Sequence, residues 1–590
     1  GSSFVLEKGK NLNYECIFYV LNISDTNADK EKIFLEKKEK NDYFISKSSK
    51  YFEIAGLPIA YWVTDNVFEA FKNNKMITNY ASPRQGMATG MNERFLRLWY
   101  EVSSNKIGFN FKNAIDAENS KKKWFPYNKG GDFRKWYGNI DYVVNWENNG
   151  FEIKHFVNEK GKLRSRAQNT EFYFKKGITW SFVNLIFGCR IVEDGFLFDV
   201  GGSSVFPDEK MQKYMLGYLN SNLVQEFLKI LNPSLVFQVG NIGSLPYIYD
   251  DNRAGQINEI VSDNVELSKT EWNFYETSYG FKKSPLINGS KKIEDSVKYL
   301  KNELNQMFNK QKNNEVMLNK IFFDIFKINE FSADVEDKYI SIRKMSEKQI
   351  IEDFISYAIG CMFGRYSLDK DGIICDNNNF NVNKYQTFIP DIDNIIPITD
   401  EAYFNDDIVD RLRQFVRVIY GSEYLNENLD YIANVLGKKG TETTEERIRK
   451  YFIEEFYIYH CNKYSVTGSG KRPIYWLFDS GKKNGFKALV YMHRYNENLI
   501  PKVRLDYLHR MQTTYEKLLV DVNDKLTSEL SMTDKKEAQK RQADLNAKLQ
   551  EIKEYDEKIA HIANQRISID LDDGVKVNYD KFKDILAKIK

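Results

Sequence analysis

The chain has 590 residues, of which 42% are hydrophobic, so it is long enough to fill more than one hydrophobic core. Its 85 basic and 83 acidic residues leave a net charge of +2, which excludes a polycationic tail. Any affinity for nucleic acid must therefore come from local clusters of charge. The sequence contains no apolar run near the ~20 residues of a membrane span, and its scattered cysteines indicate neither a zinc site nor a disulfide framework. We expect a soluble, cytoplasmic protein that does not contact membranes.

Four regions are predicted in chain order, and together they indicate an α+β protein. Residues 1–75 contain apolar runs typical of strands, and residues 76–265 form a strand-rich domain, because glycine-containing turns separate short aromatic and β-branched runs. Residues 266–510 are mainly helical, with a β-hairpin near 472–495. Residues 511–590 form a long antiparallel helical hairpin and a C-terminal tail, since leucine and isoleucine recur at helical spacing on a charged background. The opening Gly-Ser-Ser lacks a methionine and indicates a segment taken from a longer protein.

The stretch YNKGGDFRKWYGNIDYVVNWENNG, residues 127–150, combines glycine turns with basic and aromatic residues. Its second half predicts a β-hairpin that turns at Asn148 and Asn149, with Trp146 opposite Phe151 and Val144 opposite Ile153. We expect this hairpin to support the preceding Gly-Gly loop.

One enzyme-like pattern lies in the same stretch. Asp141, Glu152 and Lys154 have the D…E-x-K spacing of metal-dependent nucleases. In the predicted hairpin the two carboxylates are four residues apart along the strand, or ~13 Å, too far to share one metal. A nuclease is therefore the weaker alternative.

Basic residues flank the stretch on both sides, interleaved with aromatic and amide side chains between residues 121 and 176. Charge runs of this kind are usually solvated loops. Cations that hold phosphates, beside Arg, Gln and Asn that read base edges, are also the chemistry of a DNA groove. We favour contact with DNA.

A second basic element is PRQGMATGMNERFLRLWYEV, residues 83–102. It predicts an amphipathic helix that buries Phe95 and Trp99, is capped by Thr89 or Asn92, and has a start suited to phosphate. An ordinary capped helix explains the residues equally well.

Catalytic signatures are missing from the sequence. An enzyme that methylates an amino group is expected to carry an Asn/Asp-Pro-Pro-aromatic loop, and the nearest match, residues 232–235, has one proline and no aromatic. Residues 468–472 lack the spacing of a phosphate-binding loop.

Several segments carry a resemblance to known proteins. MLGYLNSNLVQEFLKILNPSLVFQVGNIGSLPYI, residues 215–248, resembles the element that closes target recognition domains of restriction and modification specificity proteins. With KGGDFRKWYGNIDYVVNWENNG, KLRSRAQNTEFYFKKGITWS and RPIYWLFDSGKKNGFKALVYMHRY, the whole chain resembles the PglX family, the adenine-specific DNA methyltransferases of BREX phage-defence systems.

The resemblance implies a C-terminal half that recognises a DNA site and positions the target adenine for N6 methylation. The S-adenosylmethionine site and the catalytic loop would lie upstream of Phe4, and residues 1–75 would be the end of that catalytic domain. We expect no cofactor in this chain and no methyltransferase activity from it alone. The implied partners are double-stranded DNA, other BREX proteins and a DNA-mimicking phage inhibitor.

The resemblance also assigns roles. Phosphates would be held by Lys129, Lys135, Lys160 and Lys162, and bases read by some of Arg134, Asn139, Arg164, Arg166, Gln168 and Asn169. The full set of candidates for contact with DNA is Arg84, Thr89, Asn92, Arg94, Lys129, Arg134, Lys135, Trp136, Tyr137, Asn139, Lys160, Lys162, Arg164, Arg166, Gln168, Asn169, Gln238 and Asn241. Two alternatives stay open: the nuclease, and a helical scaffold on which other defence proteins dock.

Overall fold

The computed structural model describes residues 4–5, 9, 13–21, 28–54, 56–232, 234–529 and 531–589. It confirms an α+β fold, with small sheets in the first half and helices dominating the second. Among the described residues, no helix combines the length and apolar character that crossing a membrane requires.

The strands form several small sheets. In chain order they are β1 (Glu15–Phe18), β2 (Phe44–Lys47), β3 (Ala81–Arg84), β4 (Leu96–Leu98), β5 (Trp124–Asn128), β6 (Tyr142–Asn145), β7 (Gly177–Trp180), β8 (Cys189–Val192), β9 (Leu197–Phe198), β10 (Ser204–Pro207), β11 (Ile396–Pro397), β12 (Ser465–Val466), β13 (Gly470–Lys471), β14 (Tyr475–Asp479) and β15 (Lys487–Tyr491). The strand orders are β1-β2, β3-β10-β7-β8, β4-β6-β5-β9, β11-β15-β14 and β12-β13. All pairs are antiparallel except β5 with β9.

Helices occur along the whole described chain. In chain order they are α1 (Lys30–Glu39), α2 (Asp65–Asn73), α3 (Asn92–Phe95), α4 (Ala114–Asn119), α5 (Glu147–Lys154), α6 (Glu209–Leu219), α7 (Asn222–Leu231), α8 (Val239–Gly243), α9 (Asp251–Trp272), α10 (Ile293–Phe326), α11 (Glu347–Met362), α12 (Ile408–Tyr420), α13 (Leu425–Val435), α14 (Thr444–Glu454), α15 (Phe456–Lys463), α16 (Leu499–Lys502), α17 (His509–Thr527), α18 (Met532–Gln565) and α19 (Gly574–Asp580). A π-helical segment, Val503–Leu508, joins α16 to α17.

Two hydrophobic clusters make up the core of the described chain. One holds β7, β8, α6 and α7 against the C-terminal end of α10, and the other joins the β4-β6-β5-β9 sheet to the helices and hairpin of the second half. Both clusters cross the predicted boundary near residue 265. The strand-rich region therefore shares its cores with the helical region and does not stand apart from it.

Both hairpins predicted in the second half are present. β14 pairs with β15 around residues 481–485, and α17 runs antiparallel to α18, with Gln542 donating to Asn523 near the tip and Arg504 pairing with Asp556 near the base. The side chain of Ser531 accepts from the Asp534 amide and caps α18, which is the helix start that the sequence predicts there.

The first 75 residues differ from the prediction. Only β1 and β2 are strands in the described part; α1 lies between them in the chain and α2 follows them. The apolar run at residues 57–63 forms no strand, because its residues lie in irregular loops and turns.

The predicted hairpin at residues 141–156 was wrong. Val144 of β6 lies between Leu96 of β4 and Phe125 of β5, so both edges of β6 are already paired. The chain then turns into α5, where residues 148–150 adopt left-handed backbone angles. A Cβ on Gly150 would lie 2.4 Å from the ring of Trp146, so the glycine is required for this close approach.

The predicted helix over residues 92–102 was also wrong in its length. α3 ends at Phe95, and the chain continues as β4 because its residues pair with β6. Phe95 and Trp99 are nevertheless buried as expected. A helix of one turn offers no N-terminal phosphate site, so that expectation is corrected.

Candidate nucleic-acid interface

The candidate site lies at one end of the β3-β10-β7-β8 sheet. Ser204 of β10 pairs with Arg84 at the end of β3 on one side and with Thr179 of β7 on the other. The loops that leave the sheet here comprise residues 85–90, 181–187 and 199–203. We call these loops, together with residues 128–131 and 156–169, the sheet-end surface.

The backbones of these loops are tied to one another. Met87 forms a β-bridge with Asp199, and Ala88 forms one with Arg166. The Phe182 amide donates to the Gly201 carbonyl at 2.9 Å. A Cβ on Gly86 would lie 2.0 Å from the Phe198 carbonyl oxygen, so only glycine permits this approach. The sheet-end surface is therefore a fixed arrangement of backbone segments.

A two-stranded ribbon projects from this surface. Val157 bridges Leu163, and the Asn158 amide donates to the Lys162 carbonyl at 2.8 Å. The Asn158 side chain accepts from the amides of Lys160 and Lys162, and Gly161 takes a left-handed conformation (φ +72°). These bonds shape a tight turn, and we call residues 156–166 the basic ribbon.

The basic ribbon carries four exposed cations, Lys160, Lys162, Arg164 and Arg166. Within the described part of the chain none of them forms an ion pair, whereas other cations near the site do, such as Lys129 with Asp199 and Arg94 with Glu152. Charges without an acidic partner are free to meet phosphates. The ribbon is thus the strongest concentration of available positive charge among the predicted site residues.

Other predicted residues of the site have structural partners. The side-chain amide of Gln168 donates to the Gly86 carbonyl at 2.7 Å, and that of Asn169 donates to the Gln85 carbonyl at 2.8 Å. These two bonds connect the end of the basic ribbon to the loop at residues 85–90. The distance from Lys129 Nζ to the Asp199 carboxylate is 3.2 Å.

The remaining polar candidates are also engaged locally. Arg84 lies over the ring of Phe172, and Thr89 is buried and donates to Asn92. Asn241 accepts from the Gln238 amide, and the Gln238 residue is exposed.

Arg134, Lys135, Trp136 and Tyr137 correct the sequence-based expectation, because all four are buried. Arg134 pairs with the buried Glu271 at 2.6 Å. The other two polar groups converge on a single carboxylate: Lys135 Nζ and Trp136 Nε1 each lie 2.8 Å from Glu315. Asn139 donates to the Asp132 carbonyl. Buried ion pairs therefore attach this segment to α9 and α10. The side chains of residues 134–137 are not exposed for contact with DNA.

Burial strongly affects the ionisation of this cluster. Burial by itself raises the pKa of Glu271, but the adjacent guanidinium groups of Arg134 and Arg343 bring that pKa below its ordinary value. Glu271 is therefore ionised at neutral pH and holds both cations.

The nuclease pattern is not assembled. Glu152 accepts from Arg94 at 2.8 Å and from Asn145 at 3.0 Å. Asp141 is half-buried elsewhere, near three arginines, and its partial desolvation raises its pKa to about 6. Among the described residues, the one group of three acidic side chains close enough to share a cation is Asp391, Asp393 and Asp406, far from this pattern in sequence.

Sequence reasoning missed one feature of the sheet-end surface. Val183 bridges Val236, and the Asn184 amide donates to the Leu235 carbonyl, which forms a second short ribbon. We call residues 183–185 and 234–236 the apolar finger. Residues 234–236 lie within the segment 215–248 that carries the resemblance, but their pairing with residues 183–185 joins segments about fifty positions apart, so no local signal identifies it.

Comparison with known proteins agrees with the resemblance seen in the sequence. No protein-family model matches the chain. It is 38% identical to the adenine-specific methyltransferase PglX of Lacticaseibacillus casei (strain Zhang), over 98% of this chain and 49% of that protein. It is 33% identical to the adenine-specific methyltransferase BrxX of Escherichia coli O9:H4 (strain HS), over 100% of this chain and 49% of that protein. The chain spans about half the length of the curated relatives it matches.

Proposed function

We propose that this chain is the DNA-recognition part of a site-specific adenine-N6 methyltransferase in a BREX phage-defence system. It binds duplex DNA and positions the target adenine. The observation that carries the proposal is the basic ribbon, whose four exposed cations have no acidic partner among the described residues, in a chain with a net charge of only +2. We take the reaction, adenine methylation, from the similarity of the chain to two adenine-specific methyltransferases.

The two-stranded form of the ribbon suits a DNA groove. A two-stranded β-ribbon fits the major groove of B-DNA, where Arg and Lys contact guanine edges and phosphates. Arg164 and Arg166 lie where the ribbon meets the sheet-end surface, while Lys160 and Lys162 lie at its turn. We assign phosphate contacts to the two lysines and base contacts to the two arginines.

Methyl transfer belongs to the half of the protein that this chain does not include. An S-adenosylmethionine site would lie there, and this chain alone is inactive in methylation. β1 and β2 support a junction with that half. A two-stranded sheet is marginally stable alone, and here Ile17 and Ile45 are each more than half exposed. A further domain that packs on these strands would bury them.

Other BREX proteins and a DNA-mimicking phage inhibitor are the partners that this function implies. An acidic mimic of DNA would compete for the cations of the basic ribbon. A docking role for the helical second half remains a second candidate, favoured by the exposed surface of the α17–α18 hairpin.

Binding of the whole chain to a fluorescent duplex of mixed sequence, measured by anisotropy against salt, tests the proposal. We expect the combined change of Lys160, Lys162, Arg164 and Arg166 to alanine to weaken binding at least tenfold. The slope of log K against log salt becomes shallower by about 0.9 for each phosphate that the variant no longer neutralises.

The matched control removes four exposed lysines of α18, Lys535, Lys536, Lys540 and Lys553, and changes the net charge equally. If both variants lose affinity equally, the binding depends on the overall charge of the chain and not on the basic ribbon. Magnesium-dependent cleavage of the duplex, lost in Glu152→Ala, would instead favour the nuclease.

A further inference from the structure

The apolar finger presents large apolar side chains to solvent beside a cationic surface. Leu185 is 84% exposed, Val183 61% and Leu235 51%. Isolated exposed apolar residues are common. Here three occur together on two hydrogen-bonded segments, at the same end of the sheet as the basic ribbon.

The finger is held firmly at its base. The Phe182 amide donates to Gly201, the Phe237 amide donates to Phe182, and Trp180 Nε1 donates to the Phe237 carbonyl at 2.9 Å. At its far side, the Gln225 side chain both accepts from the Phe187 amide and donates to the Phe187 carbonyl. A residue at the tip of such a support keeps its position when it meets a ligand.

Register fixes which side chains point together. Because Val183 is directly opposite Val236 in an antiparallel bridge, Leu185 falls on the same face as Val183, and Leu235 falls on the other. One face of the tip therefore carries Val183 and Leu185, and the other carries Leu235 beside Asn184. The exposed Gln238 follows Phe237 at the base of the finger, and the Lys129 backbone lies beside Gly201, which accepts from Phe182.

We propose that the apolar finger is a wedge that inserts between adjacent base pairs of the DNA held by the sheet-end surface, with Leu185 as the inserted side chain. The inference rests on the proposed function. An apolar side chain gains nothing from phosphates or from the water of a groove, but it is desolvated when it stacks between bases. Insertion unstacks the step and bends the duplex, which lowers the cost of moving a base out of the helix.

Charge argues for DNA as the occupant over a second protein. The basic ribbon is joined to the same sheet end by the bridge between Ala88 and Arg166, and its four cations, which form no ion pair among the described residues, complement a polyanion. Leu185 is thus a positioning residue, and it does not touch the methyl donor.

Methylation sequencing of cells that carry the full-length protein first identifies the recognised motif. The test then uses the whole chain and duplexes that contain this motif, with 2-aminopurine placed at each position in turn. The wild-type chain should raise the fluorescence at one step, which reports unstacking, and should shorten the end-to-end distance of a doubly labelled duplex. Leu185→Ser should remove more than half of both signals and weaken binding by about three- to tenfold, while the salt slope stays unchanged. Leu185→Met should retain them.

Leu35→Ser is the control, because Leu35 is an exposed leucine of α1. If Leu185→Ser binds with unchanged fluorescence and bend, the wedge is refuted and DNA recognition stands. Capture of a partner protein that Leu185→Ser abolishes, with DNA signals intact, would also refute it. A chain that binds no duplex refutes the proposed function and the wedge together.

Discussion

Trp124 Nε1 donates to Asp572 Oδ1 at 2.9 Å, which joins β5 to a segment 448 positions later in the chain. Lys106 and Lys123 pair with the other oxygen of the same carboxylate at 2.8 and 3.0 Å. Burial by itself raises the pKa of Asp572, but the three donors together bring that pKa below its ordinary value. The C-terminal segment is thereby fixed against the strand-rich region.

Asp572→Ala should lower the free energy of unfolding by about 1–3 kcal/mol, because the indole N–H of the buried Trp124 loses its acceptor. Urea unfolding measures the loss, and limited proteolysis should cut the C-terminal segment sooner. Asp580→Ala removes an exposed carboxylate of α19 and should change neither result. Equal behaviour of the two variants would show that the Asp572 hydrogen bonds and ion pairs contribute nothing.

Arg134→Ala should destabilise the fold by about 3–5 kcal/mol. The buried Glu271 carboxylate then keeps Arg343 but loses Arg134, the more deeply buried of its two cations. Circular dichroism against denaturant measures this. Lys160→Ala, on the basic ribbon, should leave stability within about 0.5 kcal/mol of wild type. An Arg134→Ala chain that melts normally but loses DNA binding would restore the role first predicted for this arginine.

Asp391 should make stability depend on pH. Burial, with Asp393 and Asp406 nearby, raises its pKa from 3.8 to about 7. Between these values the folded state keeps a proton that the unfolded state has lost. The stabilisation is therefore complete below about pH 4 and is lost as pH rises to about 7.

Near Asp391, Lys502 pairs with Asp393 at 3.0 Å. The Tyr507 hydroxyl donates to Asp393 and Asp406. The guanidinium groups of Arg411 and Arg494 also lie close to Asp391. Asp391→Asn should gain stability relative to wild type by up to about 1.4 kcal/mol per pH unit across this range. Urea unfolding at pH 5 and pH 8 measures the gain. Parallel pH profiles of the two proteins would contradict it.

Gly86→Ala should disrupt the sheet-end surface, because its Cβ would meet the Phe198 and Asp199 carbonyls at 2.0 and 2.7 Å. We expect a loss of about 1–3 kcal/mol and weaker DNA binding, since Gln168 is anchored to the Gly86 carbonyl. Gly240→Ala, which has open space around its Cβ, serves as the control and should behave as wild type. Tolerance of Gly86→Ala would show that the loops shift easily.

Repeating patterns made parts of the fold predictable. Leu545, Leu549, Ile552 and Ile559 recur at helical spacing and are buried in α18, and the glycine-bounded aromatic runs at 472–495 form β14 and β15. In these segments each element pairs with its neighbour in sequence, so local periodicity and turn residues suffice to predict it.

Prediction failed where a distant segment competed for the same residues. Val144 had a plausible neighbour in Ile153, but Leu96 and Phe125 pair with it instead. Arg134 and Lys135 were indistinguishable in sequence from the cations of the basic ribbon, until α9 and α10 supplied buried carboxylates.

The sequence by itself determined the α+β class, the helical hairpin, the lack of a known catalytic loop and the likeness to adenine-specific methyltransferases, because composition, periodicity and motifs are local properties. The tertiary structure alone decided which basic residues reach solvent. A cation is available to DNA only if no carboxylate neutralises it, and for Arg134 that carboxylate, Glu271, lies 137 positions away in the chain. The basic ribbon keeps its charge exposed because, in the described part of the chain, no such segment folds onto it.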